Sequence, residues 1–428
     1  MNVKFITLGC KVNQYETEAM RELLIKKGYT EDDSAPSDIL IVNSCTVTGE
    51  GDKKTAKLFE RAKRENPGCI TVLTGCFPQA FPEKAGKFGA DIITGTNNRK
   101  NLPELLEKAV KDRLKIVEIG EHKPREKFEE LEVTSFEGHS RAFMKIQDGC
   151  DRFCSYCIIP YARGHLRSKS LESIEKSAEA LAENGYSEIV LTGINLSFYG
   201  AGDGCDLGDA VISAAKPRQI KRIRLGSLQP DLIDDKIIEK WKKTDKLCPQ
   251  FHLSLQSGSD GVLKRMNRRY TTDLYERVCT LLRENFPGAA ITTDIIVGFP
   301  GETDEEFQET LDFVRRIRFS KIHVFPYSIR SGTPAAEMDC QVPESVKNLR
   351  KKRLISVAEE VRNQEMENLV GTVVRVLVEN GVKDGKSEGY SENYTPVLFE
   401  NKLHHEGEIV KVMITDVGNG YAEGYIME

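Results

Sequence analysis

No stretch of this 428-residue chain approaches the roughly 18–20 uninterrupted apolar residues that a membrane-spanning helix needs. Met1 to Gln14 has neither the basic opening nor the apolar core of an export signal, so a cytoplasmic address is expected, with no membrane partner. Positive charge is not in excess either. Sixty-one Lys and Arg stand against 66 Asp and Glu, and a net charge of −5 provides no bulk attraction for a polyanion. The acidity is concentrated at the end: residues 369–428 hold five basic and ten acidic side chains. A disulfide framework is not expected, because the 11 cysteines are odd in number and sit in a large chain without an export signal. What is present is a soluble globular balance of 39% hydrophobic and 30% charged residues, in a length that suggests about three domains.

The chain divides by pattern. Val3–Leu8, Ile39–Val42, Ile70–Thr74 and Asp91–Thr94 read as buried strands. Tyr15, Ala19 and Leu23, with Met20 and Leu24, share one helical face, as do Ala56, Phe59 and Ala62. This alternation predicts a parallel, doubly wound α/β sheet domain over 1–120. The charged stretch 121–137 reads as a linker. From 138 to 368 six strand candidates follow: Ala142–Gln147, Glu188–Thr192, Arg222–Leu225, Phe251–Leu255, Thr292–Val297 and Lys321–Phe325. Helical patterns follow the first five, which predicts a partial (β/α)6 barrel, and Val346–Val361 reads as a basic helix leading out. The remainder, 369–428, holds short strands divided by Gly, Asn and Asp, and predicts a small all-β, OB-like unit.

Two sets of cysteines carry the chemistry. Cys150, Cys154 and Cys157 lie within eight residues, directly after the first barrel strand, where such folds place their chemistry. Structural zinc needs a fourth ligand, and no Cys or His stands at finger spacing. Three cysteines on a four-iron cluster leave one iron open for an exchangeable ligand. Cys10, Cys45 and Cys76 are far apart in sequence, but each follows a predicted strand by one or two residues. Parallel strands deliver their ends to one edge, so these sulfurs can converge, while spacing alone leaves three unrelated buried cysteines as the alternative. Cys69 opens its strand at the opposite edge and stays outside the set. Cys248, Cys279 and the other remaining cysteines read as packing residues.

The Cys-x3-Cys-x2-Cys motif after a first barrel strand resembles the radical S-adenosylmethionine (SAM) superfamily. Together with the N-terminal triad and the C-terminal β unit, the whole chain resembles its methylthiotransferase family, in which that β unit is a TRAM domain. The resemblance implies two [4Fe-4S] clusters, an auxiliary one on Cys10, Cys45 and Cys76 as the sulfur-transfer site and one on Cys150, Cys154 and Cys157 that binds SAM. It implies a reaction using two SAM molecules, one to methylate a sulfur and one to generate a hydrogen-abstracting radical. It also implies an electron donor such as flavodoxin or ferredoxin.

The sequence TLGCKVNQYE around Cys10 resembles the branch acting on N6-threonylcarbamoyladenosine (t6A) in the tRNA anticodon loop, yielding its 2-methylthio derivative. The branches acting on isopentenyladenosine in tRNA or on a ribosomal-protein aspartate have other residues after that cysteine. From another class, an RNA-binding iron–sulfur redox protein stands as the alternative. SAM is expected across the barrel strand ends, at Gly193, Asn195, Ser254, Gln256, Asp294 and Gly298, where glycine admits close backbone approach and polar side chains bond the ligand. Lys216–Arg224, Lys264–Tyr270 and Lys347–Arg353 are the basic stretches suited to an RNA backbone. In the acidic C-terminal unit the cations are Arg375, Lys383, Lys386, Lys402 and Lys411, and Tyr390 and Tyr394 are the candidates for base stacking.

Overall fold

The computed structural model describes residues 1–427 apart from 33, 47–49, 113, 125, 384, 401–404 and 419, so Lys402 lies outside the described residues. Strands β1 (Val3–Thr7), β2 (Ile39–Ser44), β3 (Ile70–Gly75), β4 (Ile92–Thr94) and β5 (Ile116–Glu118) form one parallel sheet. They lie side by side in sequence order, without the reversal typical of doubly wound sheets. Helices α1 (Lys11–Lys26), α2 (Glu50–Glu65), α3 (Cys76–Ala80), α4 (Pro82–Gly86) and α5 (Leu102–Asp112) connect them. Both faces are nevertheless covered, because successive side chains of a strand point opposite ways. Ile39 and Ile41 pack with Met20 and Leu24 of α1 and Leu105 and Leu106 of α5, while Leu40 and Val42 pack with Phe59 of α2 and Phe77 of α3. Strand β5 is an edge of three residues with Val117 exposed, too short to be seen as a sequence pattern.

The barrel-like domain begins with β6 (Ala142–Asp148), α6 (Ile159–Arg163), β7 (Arg167–Ser168), α7 (Leu171–Glu183), β8 (Glu188–Gly193) and α8 (Leu207–Ala214). It continues through β9 (Arg222–Leu225), β10 (Ser227–Leu228), α9 (Asp235–Trp241), β11 (Gln250–Leu253), α10 (Asp260–Arg265) and α11 (Thr272–Asn285). It ends with β12 (Ala290–Val297), α12 (Asp304–Ile317), β13 (Lys321–Pro326) and the long α13 (Glu344–Glu367). The third strand is broken at Gly226 into β9, which pairs with β8, and β10, which pairs with β11. The result is six parallel strand positions in sequence order, with the short β7 antiparallel on the β6 edge. The described residues of 121–137 form no helix or strand, but Leu131, Val133 and Phe136 are buried in the barrel core. Three apolar anchors in a charged segment hold it as a strap between the two domains.

The C-terminal strands β14 (Val373–Lys383), β15 (Lys386–Ser391), β16 (Pro396–Glu400), β17 (Ile409–Gly418) and β18 (Tyr421–Ile426) close into a barrel of order β14-β15-β16-β18-β17. Val376, Val397, Phe399, Val412 and Ala422 fill it. Strand β15 escaped the sequence pattern because KSEGYS is mostly polar and only half-buried. Among the described residues no helix is long and apolar enough to cross a membrane.

Candidate functional site

Register brings the N-terminal thiols together. Thr7 pairs with Asn43, Asn43 with Thr74 and Ser44 with Gly75, so β1, β2 and β3 end in step and release Cys10, Cys45 and Cys76 at one edge. Two glycines make the edge tight. At Gly9 (φ +143°) a Cβ would stand 2.9 Å from Cys45 Cβ, and at Gly75 (φ +98°) it would stand 2.4 Å from Asn43 Oδ1 and 2.5 Å from the Ser44 carbonyl. No side chain fits either place. Asn13 ties the loops: its Nδ2 donates to Asn43 Oδ1 (3.1 Å) and the Ser44 carbonyl (3.3 Å), while Cys10 Sγ donates to its Oδ1 (3.3 Å). Cys10 is exposed, Cys45 half-buried and Cys76 buried. Burial pushes the Cys76 thiol up to about 12; Arg163 opposes this, and Cys45 and Cys10 are close enough to add to it.

The second set surrounds the loop after β6. Cys157 N–H donates to the Cys154 carbonyl (2.9 Å), and Cys150 N–H to the Gly164 carbonyl (3.0 Å). Asn195 Nδ2 lies 3.5 Å from Cys150 Sγ, and Arg268 Nη1 lies 3.3 Å from Cys154 Sγ. Burial raises Cys157 to about 12, with the neighbouring thiols of Cys154 and Cys150 adding to the effect. Among the described residues no three His, Cys, Asp or Glu side chains are grouped closely enough to hold one ion. A cubane takes each cysteine on a different iron and does not require it.

A buried ion network runs from the first triad to the end of β6, the strand that leads into the second. Helix α3, which opens on Cys76, packs against α6, which follows Cys157. From α6, Arg163 donates through Nε to Cys76 Sγ (3.1 Å) and through Nη2 to Glu16 Oε2 (3.0 Å). Glu16 also pairs with Arg99 (2.8 Å) and Lys145 (2.7 Å), and Lys145 with Asp148, two residues before Cys150. Burial alone would raise the Glu16 carboxyl, but Arg163, Arg99 and Lys145 outweigh it and hold it at about 2. Asp148 is likewise held below the carboxylate range by Lys145, Arg163 and Arg167, against its burial.

The residues expected to meet SAM divide. Asn195 stands at the second triad with its Oδ1 buried and without a hydrogen-bond partner. Ser254 is tied to the same place, its carbonyl accepting from the Arg268 that contacts Cys154. Gln256 holds a left-handed backbone (φ +72°), and its N–H and C=O are bonded to β12 at Asp294 and Ile296. Asp294 faces His252, 3.2 Å away. The two glycines are closely packed. A Cβ at Gly193 would meet Gln147 at 2.9 Å, and one at Gly298 would meet Lys347 Cγ at 2.4 Å.

The basic stretches divide: Lys216, Arg218, Lys221, Lys264, Arg269, Lys352 and Arg353 are exposed, while Arg222, Arg224, Lys347 and Arg350 are buried. Arg222 and Arg224 are both 1% exposed. They pair with Glu188 and donate to the Arg375, Tyr390, Ser391 and Glu392 carbonyls, riveting the C-terminal barrel to β9. Arg265 pairs with Glu306, and Arg350 with Glu302 and Asp304. Tyr390 and Tyr394 stack on each other at 4.8 Å. Arg141 lies over both rings and Arg224 over Tyr394, so these faces are already occupied. Of the five cysteines left aside, Cys69, Cys248 and Cys279 are buried and Cys205 is half-buried, but Cys340 is exposed. Its carbonyl accepts from Gly301 in a loop where packing cannot be its role.

Sequence reasoning passed over Asn13, Asn43, Arg163 in this role, and Arg268. The Asn-x-Cys of Asn43-Ser44-Cys45 and the Asn three residues after Cys10 are the only local signals for the first two. The donor sets suit iron–sulfur clusters: soft thiols, glycine cradles that a Cβ would fill, arginine donors aimed at sulfur, and an orphaned amide oxygen beside the second loop.

Known proteins resemble this chain in each of its three parts. Residues 2–95 match a family described as Uncharacterized protein family UPF0004, residues 144–314 the Radical SAM superfamily, and residues 367–427 the TRAM domain. The chain is 41% identical, over 99% of its length and 95% of the relative's, to the threonylcarbamoyladenosine tRNA methylthiotransferase MtaB of Bacillus subtilis. It is 39% identical to the MtaB of Aquifex aeolicus, over 97% of this chain and all of that one. A tRNA-2-methylthio-N(6)-dimethylallyladenosine synthase of Pelotomaculum thermopropionicum is 36% identical over 99% of this chain and 97% of its own. Among solved structures, the radical SAM methyltransferase TsrM of Kitasatospora setae shares the fold, with TM-score 0.59 and 17% identity over 78% of this chain and 77% of that one. Likeness of this degree to full-length relatives admits one reading: the chain is a member of the radical SAM tRNA methylthiotransferase family.

Proposed function

We propose that this enzyme converts N6-threonylcarbamoyladenosine beside the tRNA anticodon into 2-methylthio-N6-threonylcarbamoyladenosine. The observation that carries this reading is the pair of thiol triads, one released at the ends of β1, β2 and β3 and one in the loop after β6, in a chain about 40% identical to MtaB proteins end to end. In this reading Cys10, Cys45 and Cys76 hold the auxiliary [4Fe-4S] cluster, and Cys150, Cys154 and Cys157 hold the one that binds SAM. When bound, these groups supply a low-potential electron, a hydrogen-abstracting radical and the methylthio group.

The chain's own residues set the stage for that chemistry. Arg163 and Arg268 donate to one sulfur of each triad, and Glu16 locks Arg163 in place from the neighbouring domain. Asn195, with its free carbonyl oxygen, is positioned for a SAM ammonium or hydroxyl. The Tyr15 ring and the strap residues Leu131 and Val133 seal the seam between the domains, which keeps water from a radical path. The anticodon loop offers a single-stranded base that can be turned out into such a site. A cytoplasmic donor of the flavodoxin or ferredoxin class supplies the electron.

Mass analysis of anticodon-loop nucleosides from cells with and without the gene tests the reading. Loss of the methylthio group from threonylcarbamoyladenosine is the expected result, and loss from isopentenyladenosine alone overturns it.

A further inference from the structure

We propose that Lys11, backed by Arg141 and Arg224, selects adenosines whose N6 substituent ends in a carboxylate. The inference rests on the threonylcarbamoyladenosine reading above and names the side chains that would enforce it.

Lys11 follows Cys10 directly and is half-buried. Its Nζ lies 5.9 Å from the centre of the Tyr394 ring, and Arg224 and Arg141 lie over the same ring at 4.5 and 5.1 Å. Three cations from three separate segments, the first residue of α1, the residue before β6 and β9, therefore surround one aromatic side chain. Glu188 is the acidic group facing Lys11, and it is already engaged by Arg224 (3.0 Å), Arg222 (3.4 Å) and Arg141 (3.7 Å). Glu379 pairs with Arg141. Lys11 itself makes no ion pair among the described residues.

Lys11, Arg141, Arg222 and Arg224 thus share Glu188 and Glu379, while Glu392 beside Arg222 is already paired with Arg375, in a place where the first three guanidiniums are buried. The carbonyls that accept from Arg222 and Arg224 satisfy hydrogen bonds but cancel no charge. Arg141 Nη1 is buried and makes no hydrogen bond, the Glu188 oxygen it faces being 3.7 Å away. A buried cationic excess with a free donor is costly on its own and favourable once an anion enters.

The geometry of adenine says which anion. C2 and C6 flank the same ring nitrogen, so a base that presents C2 to the Cys10 side holds its N6 substituent one ring atom away. That is within reach of a lysine on the next residue. A threonylcarbamoyl group ends in a carboxylate at neutral pH. An isopentenyl group brings no charge and would leave the cations uncompensated, which is discrimination by an unpaired buried group.

The test uses the full chain with both clusters reconstituted anaerobically. Two anticodon stem-loop RNAs are compared, one bearing threonylcarbamoyladenosine and the other the same base with the threonine acid replaced by its carboxamide. Binding by the wild type is expected to favour the acid on the order of ten- to a hundredfold, the range for a hydrogen-bonded charged group. Lys11→Met should bring the acid-to-amide ratio to near one, and Lys11→Arg should keep most of it. The ratio is internal to each protein, so a general loss of binding in a variant does not imitate the effect. Equal binding of the two RNAs by the wild type, or an undiminished ratio in Lys11→Met, overturns the proposal. Methylthiolation of the acid RNA by the wild type, measured separately, shows whether the functional reading itself stands.

Discussion

Glu16 is where the two cysteine domains are electrically joined, and Glu16→Gln is the most informative single change. The side chain is fully buried in α1, while Arg163 and Lys145 belong to the barrel domain. Removing the carboxylate leaves three cations, Arg163, Arg99 and Lys145, facing a neutral amide. Breaking a buried pair on one side costs about 3–5 kcal/mol. The titration argument gives a similar figure: the carboxyl falls from 4.5 to about 2 on folding, which is worth about 3 kcal/mol. Because the folded value is depressed, this stabilisation is present in full above pH 4.5 and is lost as pH falls towards 2. The effect should concentrate at the domain seam, so the assay is hydrogen exchange of α1 and the 121–137 strap in the cluster-free protein. At pH 7, protection there should drop by an amount equivalent to about 3 kcal/mol in the variant. The gap between wild type and variant should narrow once pH passes below 4.5. A loss under about 1 kcal/mol, or a gap unchanged between pH 7 and pH 3, would refute the view that Glu16 holds the domains through its charge.

Three further outcomes are expected. Cys10→Ala should still cleave SAM under reduction but form no methylthio product; product at the wild-type level would remove the N-terminal triad as the sulfur site. Gly75→Ala places a Cβ 2.4 Å from Asn43 Oδ1 on a left-handed backbone. It should lower the first domain's stability by about 2 kcal/mol or more, read by urea denaturation together with the iron content of the reconstituted protein. Arg224→Met removes one of three arginine partners of Glu188 and the donor to the Ser391 and Glu392 carbonyls. Limited proteolysis should then release the C-terminal barrel at least tenfold faster, with a resistant barrel as the contrary result.

Much of the fold can be read along the chain because it is local. The Tyr15, Ala19, Met20 and Leu24 face becomes α1, and the alternating strands and helices become the sheet and the six barrel positions. The edges were harder. Strands β5 and β15 are short or polar and owe their pairing to neighbours rather than to their own residues. At the candidate site the same division holds. Cys150, Cys154 and Cys157 announce themselves by spacing, and Cys10, Cys45 and Cys76 by their place after strands. At Gly193 and Gly298 the sequence shows a strand-end glycine but not its neighbours, which are Gln147 and Lys347.

Charge is where sequence was least informative. Arg222, Arg224, Arg268 and Arg350 sit in runs that suit an RNA backbone, but each is turned inward onto a carboxylate, a carbonyl or a thiol. A basic run looks the same whether it faces water or Glu188, because the acid that neutralises it is 34 or 36 residues away. By itself the sequence determined the elements, the two thiol triads and the edge on which they open, since these depend on residue type and short-range period. Only the tertiary structure decided which cations are buried, which are paired, and which, like Lys11, are left with charge to offer. Coulombic partners are chosen by distance in space, and that distance exists only once the three sheets have packed.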